Sequence, residues 1–193
     1  MSAESDASER IDVSVGDNET LGTIVEATVR ERFALADVSA DSGVPADALA
    51  THDLRVHQNG ENPPVLVVRE GTPIEVKATR EWVSNGGSAR TRGRVWINAA
   101  THAQLVASAG WYAVAVYEPV VGDDEDDLDV EVLAVRLLPA VLLDDLLDEP
   151  TNCGPKHDIE AAYRLAWPHV IDPDQVDDRC DVRRVTVDRE VGR

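Results

Sequence analysis

Lysine is nearly missing from this chain. Among 193 residues the 18 basic ones include only Lys77 and Lys156 as lysine, the others being arginine, against 37 Asp and Glu. Aromatic residues are scarce at 4 %, with a single Phe, and there is one Met. Two cysteines, Cys153 and Cys180, are too few for a disulfide framework and fit a reducing compartment. No apolar run approaches the roughly 18 residues of a membrane span. The opening MSAESDASERIDVS has neither the basic nor the apolar part of a secretory leader. A cytoplasmic chain without a membrane partner is therefore expected. A small-metabolite enzyme finds no support either, for there is no phosphate loop, dinucleotide fingerprint or nucleophile elbow.

What is present is acid. The formal net charge is −19, carried on a surface rich in Asp and Glu and almost free of Lys. Such a surface stays hydrated at molar salt, where the Debye length is about 3 Å. The composition is similar to that of proteins from salt-accumulating archaea. On that halophilic reading the charge is an adaptation to solvent, and it does not exclude nucleic acid as a partner.

Residues 1–18 are polar and acidic without periodicity and read as a mobile tail. Leu21, Ile24, Val25, Thr28, Val29 and Phe33 recur at helical steps, with Asp17, Asn18 or Thr20 as candidate caps. PADALA reads as one helical turn. HDLRVHQ, PPVLVVR and GTPIEVKAT read as strands separated by turn residues. A polar loop, SNGGSARTRG, precedes the short strand RVWIN, a helix ended by Gly110 and the buried strand WYAVAVYEPVV. GDDEDDLD reads as an acidic hairpin loop or linker, with a strand, a helix interrupted near Pro139 and edge strands to follow. Helix, strands, helix and strand predict a mixed α/β sheet with helices on its faces.

Chemistry concentrates in GTPIEVKAT. A period of two sends Ile74, Val76 and Ala78 to one face and Glu75, Lys77 and Thr79 to the other, the acid and the amine roughly 7 Å apart along the strand. A carboxylate so placed holds Mg²⁺, which prefers oxygen ligands. A neighbouring lysine orients an attacking water and offsets charge building on a phosphoryl group. Glu-x-Lys also arises by chance as an exposed ion pair, yet one of only two lysines stands here, where arginine would serve an ordinary salt bridge.

The order of elements around Glu75-Val76-Lys77, with RTRGRVW, a helix bearing His102 and then YAVAVYE, resembles the core of the PD-(D/E)xK nuclease superfamily, the restriction endonuclease-like fold that includes Holliday junction resolvases. The resemblance covers about 20–118. It implies a nuclease-like core over 19–122, with 123–193 as an extension of the same domain, and a metal-dependent endonuclease acting on DNA with Mg²⁺ or Mn²⁺. It also implies an aspartate at the start of the preceding strand. PPVLVVREG has none, so Asp53 in HDLRV is the candidate to hold the metal with Glu75, and Glu70 the runner-up. Many members carry a further glutamate on the first helix, a position matched by Glu26; the alternative for Glu26 is an i+4 pair with Arg30. Nucleases of this fold often cut as dimers, so a homodimer is one arrangement the resemblance allows. The competing reading is a fold that lost its metal site and serves as a DNA-binding or assembly module.

Around the motif, Lys77, Arg80, Arg90, Arg92 and Arg94 face one acid, Glu81, a local reversal of sign in an acidic chain. The arginines are expected to fork onto phosphate oxygens, with Gly86, Gly87 and Gly93 allowing close approach; the alternative is neutralisation of acids within the protein. Trp82 and Trp96 flank the loop and read as core. His102 shares a face with Leu105, Val106 and Ala109, which suits a hydrogen-bonded core histidine better than a residue reaching a scissile phosphate from behind the metal ligands. Tyr117 and Glu118 read as structural. Cys153, His157, His169 and Cys180 form only a weak zinc pattern, with no close Cys-x-x-Cys.

Overall fold

The computed structural model describes residues 15–39, 42–57, 65–84, 89–121, 128–152 and 161–177. In chain order these form α1 (Val15–Phe33), β1 (Leu35–Asp37), β2 (Ala48–Ala50), β3 (Leu54–His57), β4 (Val65–Val68), β5 (Pro73–Arg80), β6 (Trp82–Ser84), β7 (Arg90–Arg92), β8 (Arg94–Asn98), α2 (Ala99–Ala107), β9 (Trp111–Val121), β10 (Leu128–Pro139), a 3-10 segment (Ala140–Leu146), β11 (Thr151–Asn152), β12 (Ala161–Ala166), a 3-10 turn (Trp167–His169) and α3 (Pro173–Asp177). The five-stranded sheet runs β1-β2-β5-β9-β10, and a three-stranded sheet runs β11-β12-β8. β5 and β9 are parallel and joined through α2; the other neighbours in the large sheet are antiparallel. This is the mixed sheet with flanking helices that the sequence predicts, and among the described residues no helix is long and apolar enough to cross a membrane.

Two apolar clusters lie on opposite faces of the large sheet. Leu21, Val25, Val29 and Phe33 of α1 meet Ile74, Val76, Ala113 and Ala115 with the β3–β4 hairpin. Burying four such side chains is worth roughly 1.5–3 kcal/mol each before entropy is charged. On the other face Tyr112, Val114 and Val116 meet Val95 and Ile97 of β8, Leu105 of α2, Leu165 of β12 and Trp167. The alternation of β9 feeds both clusters, which is why it is buried on every residue from Trp111 to Tyr117, whereas β5 gives Ile74 and Val76 to the first and turns Glu75 and Lys77 the other way.

Three boundaries differ from the expectation. α1 begins at Val15, so residues 15–18 are helical and the candidate caps lie inside the helix. α2 ends at Ala107, with the Ala109 N–H donating to the Val106 carbonyl and the Gly110 N–H to that of Leu105. That is a Schellman end in which Ala109, at φ 52°, takes the left-handed position and Gly110 follows it. PADALA does not form a helical turn; its last residues are β2. The acidic run before Leu128, Cys153, His157 and Cys180 fall outside the described residues.

Candidate functional site

The site begins where a strand stops short. β2 pairs with β5 over only Ala48↔Ile74 and Leu49↔Pro73. Extending that register by one residue would set Asp47 against Glu75. There the chain has left the ladder, and the Asp47 side chain takes over: its Oδ2 accepts the Val76 N–H at 2.9 Å. The bond satisfies a strand donor that would otherwise be unpaired and fixes the Asp47 carboxylate beside Glu75.

Glu75 is 8 % exposed. Its carboxyl is pushed above the ordinary glutamate value, first by burial and then by Asp47, against the opposing pull of Lys77; Asp47 and Glu75 are within side-chain hydrogen-bonding reach. Lys77 Nζ lies 2.6 Å from Glu75 Oε1. Burial alone would depress the lysine, but Glu75, and then the fields of Asp47 and Glu26, outweigh it and hold the ammonium above its usual range. From α1, Glu26 feels Asp47 and Lys77 as well. Its carboxyl is raised by burial first and Asp47 second, while Lys77 and Arg30 pull it down. The i+4 pair with Arg30 gives way to a different contact, since the Arg30 guanidinium bonds Asp37 at 3.2 Å.

The fields of three carboxylates thus act on one ammonium, and two of the acids, Glu75 and Glu26, are raised by burial first and by Asp47 after it. Hard oxygen donors in excess of positive charge suit a small divalent cation. Among the described residues no group of three or more His, Cys, Asp or Glu forms a ready-made cage. Mg²⁺ does not need one, because it keeps several waters and is held by one or two carboxylates. The residues therefore fit the cation the resemblance implies.

Asp53 is not part of this cluster. It is exposed on the β3–β4 hairpin, where Oδ2 accepts from Arg69 Nη1 at 2.6 Å and Oδ1 from the Glu70 N–H at 3.0 Å. The Glu70 amide first, and then Arg69, hold its carboxyl below the usual range. These bonds commit the Asp53 carboxylate to Arg69 and to the Glu70 amide, and the acid that acts on Glu75 is Asp47.

His102, 4 % exposed, uses both ring nitrogens inside the protein. Nε2 lies 2.9 Å from Asp144 Oδ1, and Nδ1 lies 3.1 Å from the Tyr112 hydroxyl. A carboxylate only accepts, so Nε2 donates, and in a neutral ring Nδ1 accepts the tyrosine proton. The histidine ties α2 to β9 and the 3-10 segment. Tyr112 sits in register beside Glu75, and its hydroxyl is pushed upward by burial, then by Glu75 and Asp144.

The arginines divide. Arg90 and Arg94 are exposed. Arg80 is half-buried at the end of β5, with an Nε that lacks a hydrogen-bond partner among the described residues. Arg92 is not available to phosphate: it is paired with Glu81, with its guanidinium 3.8 Å from the Trp82 ring centroid and 4.9 Å from that of Trp167. Gly93 is likewise used internally, its N–H donating to the Glu81 carbonyl at 3.0 Å. Gly86 and Gly87 lie outside the described residues. Arg92→Ala should accordingly cost about 2 kcal/mol in a denaturant titration, because it strands a buried carboxylate beside Glu118 and removes the cation from two indoles. DNA affinity should stay unchanged; a loss of affinity at unaltered stability would restore the phosphate role.

A family model described as a PD-(D/E)XK nuclease superfamily domain matches residues 13–172. No curated protein and no solved structure matches the chain.

Proposed function

The chain belongs to the PD-(D/E)XK nuclease superfamily, and from that premise we propose that it hydrolyses phosphodiester bonds in DNA with Mg²⁺ or Mn²⁺. The observation that carries the proposal is the convergence of Asp47, Glu75 and Glu26 on Lys77. Asp47 and Glu75 would hold the cation, Asp47 taking the role the sequence suggested for Asp53. When bound, such an ion activates water and polarises a phosphoryl oxygen.

The protein's own groups do the rest. The Val76 amide holds the Asp47 carboxylate in place, and the strand pleat aims Glu75 and Lys77 to one side. Lys77 stays an ammonium among these acids, so it serves as a donor to the attacking water and a positive charge facing the phosphoryl oxygens rather than as a proton-abstracting base. Glu26 supplies a further acceptor from the helix. Arg90 and Arg94 are the loop arginines free to contact phosphates, and they would position DNA without reading its bases.

The inactive DNA-binding or assembly module is favoured by one observation: among the described residues no group of three or more His, Cys, Asp or Glu is placed to hold a metal ion together. Plasmid incubation separates the two readings. In molar salt with Mg²⁺ the supercoiled form should be nicked and linearised, and chelator should stop it; binding without cleavage in every divalent cation would favour the module.

A further inference from the structure

Trp96 is 47 % exposed, whereas Trp111 and Trp167 are 8 % and 0 % exposed and Trp82 is half-buried against Arg92. The period of β8 explains the direction: Val95 and Ile97 enter the core, and Arg94 and Trp96 face out. On β12, Leu165 enters the core and Arg164 faces out directly opposite Trp96, with Arg94 one row along opposite Ala166. Arg164 lies 4.1 Å from the Trp96 ring centroid. Among the described residues no carboxylate pairs with Arg94 or Arg164, although Arg30, Arg69 and Arg92 are each taken up by an acid.

An indole and two unneutralised guanidiniums on one sheet face, in a chain of −19, select a polyanion that also offers flat apolar surface. Duplex DNA offers the charge but keeps its bases stacked inside. Single-stranded DNA offers both. We propose that the outer face of the β8–β12 pair is a stacking platform for unpaired bases of single-stranded DNA, with a base laid on Trp96 or on the Arg164 plane and Arg94 on the neighbouring phosphate. This rests on the nuclease reading and deepens it, for it names a substrate with an unpaired segment.

The test is a binding titration in chelator at fixed salt, with oligothymidylate and a blunt duplex of the same length. Oligothymidylate should quench tryptophan emission of the wild-type chain. Trp96→Ala should weaken that binding roughly 10- to 100-fold and leave duplex affinity and the thermal midpoint unchanged. Trp96→Phe should keep most of the affinity, and Arg164→Gln should lower it and flatten its salt dependence; these two variants decide the matter if Trp96→Ala folds poorly. The proposal is overturned if the wild-type chain does not bind oligothymidylate, if Trp96→Ala binds it as well as wild type, or if both DNA forms lose affinity equally. Chelator removes cleavage from the measurement. A chain that nicks plasmid yet ignores Trp96→Ala sinks the platform alone, and one that binds through Trp96 yet never nicks sinks the hydrolase alone.

Discussion

Asp47→Asn is expected to reduce Mg²⁺-dependent nicking by roughly 10²- to 10³-fold, the scale of losing one preorganised electrostatic group at a reacting centre. The substitution is close to isosteric. The amide oxygen still accepts the Val76 N–H, so the edge where β2 leaves β5 stays closed, and the negative charge beside Glu75 is what disappears. Removing that charge relieves part of the upward push on the Glu75 carboxyl, so the thermal midpoint should hold or rise even as activity falls. Asp53→Asn is the paired control. It trades a charged acceptor on the exposed β3–β4 hairpin for a neutral one, and nicking should be unchanged. Endpoint assays of supercoiled plasmid at matched Mg²⁺ measure both. Full activity in Asp47→Asn, or its loss in Asp53→Asn, would return the ligand role to the hairpin aspartate and dismantle the site described above.

The contrast between these two aspartates shows where sequence reading stops. Glu75 and Lys77 were legible because strand alternation is a local signal, and a scarce lysine marks its own position. Asp47 was not. It precedes a three-residue strand, Ala48–Ala50, inside an alanine-rich segment whose intrinsic preference is helical. Only the pairing of that short strand with β5, a contact across 26 positions at Ala48↔Ile74, brings the acid to Glu75. Asp53 is the candidate because the resemblance asks for an aspartate on the strand before the motif and PPVLVVREG has none, but the strand of HDLRV pairs with β4 and is not the neighbour of β5. The placement of β9 as a doubly buried strand was readable from its unbroken apolar run. The fates of the arginines were not, since nothing local distinguishes Arg92, which meets Glu81, Trp82 and Trp167, from Arg94, which meets solvent. The exposed Trp96 went the opposite way to the usual expectation for a large aromatic, and its alternation with Val95 and Ile97 was the signal available to find it.

The largest loss of stability is expected from the smallest change in the loop region, Gly93→Ala. Gly93 joins β7 to β8 and is buried. Its N–H donates to the Glu81 carbonyl, and its own carbonyl accepts the Trp167 N–H at 3.2 Å, so its backbone stitches the end of β5 to the 3-10 turn after β12. An added Cβ would fall 2.0 Å from the Arg80 carbonyl oxygen and 2.4 Å from Thr79 Oγ1. The first of these is backbone in the central sheet and cannot swing aside as a side-chain tip can. Relief means moving β8 away from β5, which opens the apolar cluster of Val95, Ile97, Leu165 and Trp167. About 3 kcal/mol or more is the expected cost, at the upper end for overpacking. Gly22→Ala makes the same chemical change inside α1, where no atom of the described residues lies within 4 Å of the new Cβ. There the methyl should stabilise by up to about 1 kcal/mol, by helix propensity alone. Urea titrations of the two variants against wild type measure the opposite signs. A mild effect at Gly93 would mean that β8 slides freely past the end of β5, and the anchoring of Arg94 and Trp96 on a rigid face would fail with it.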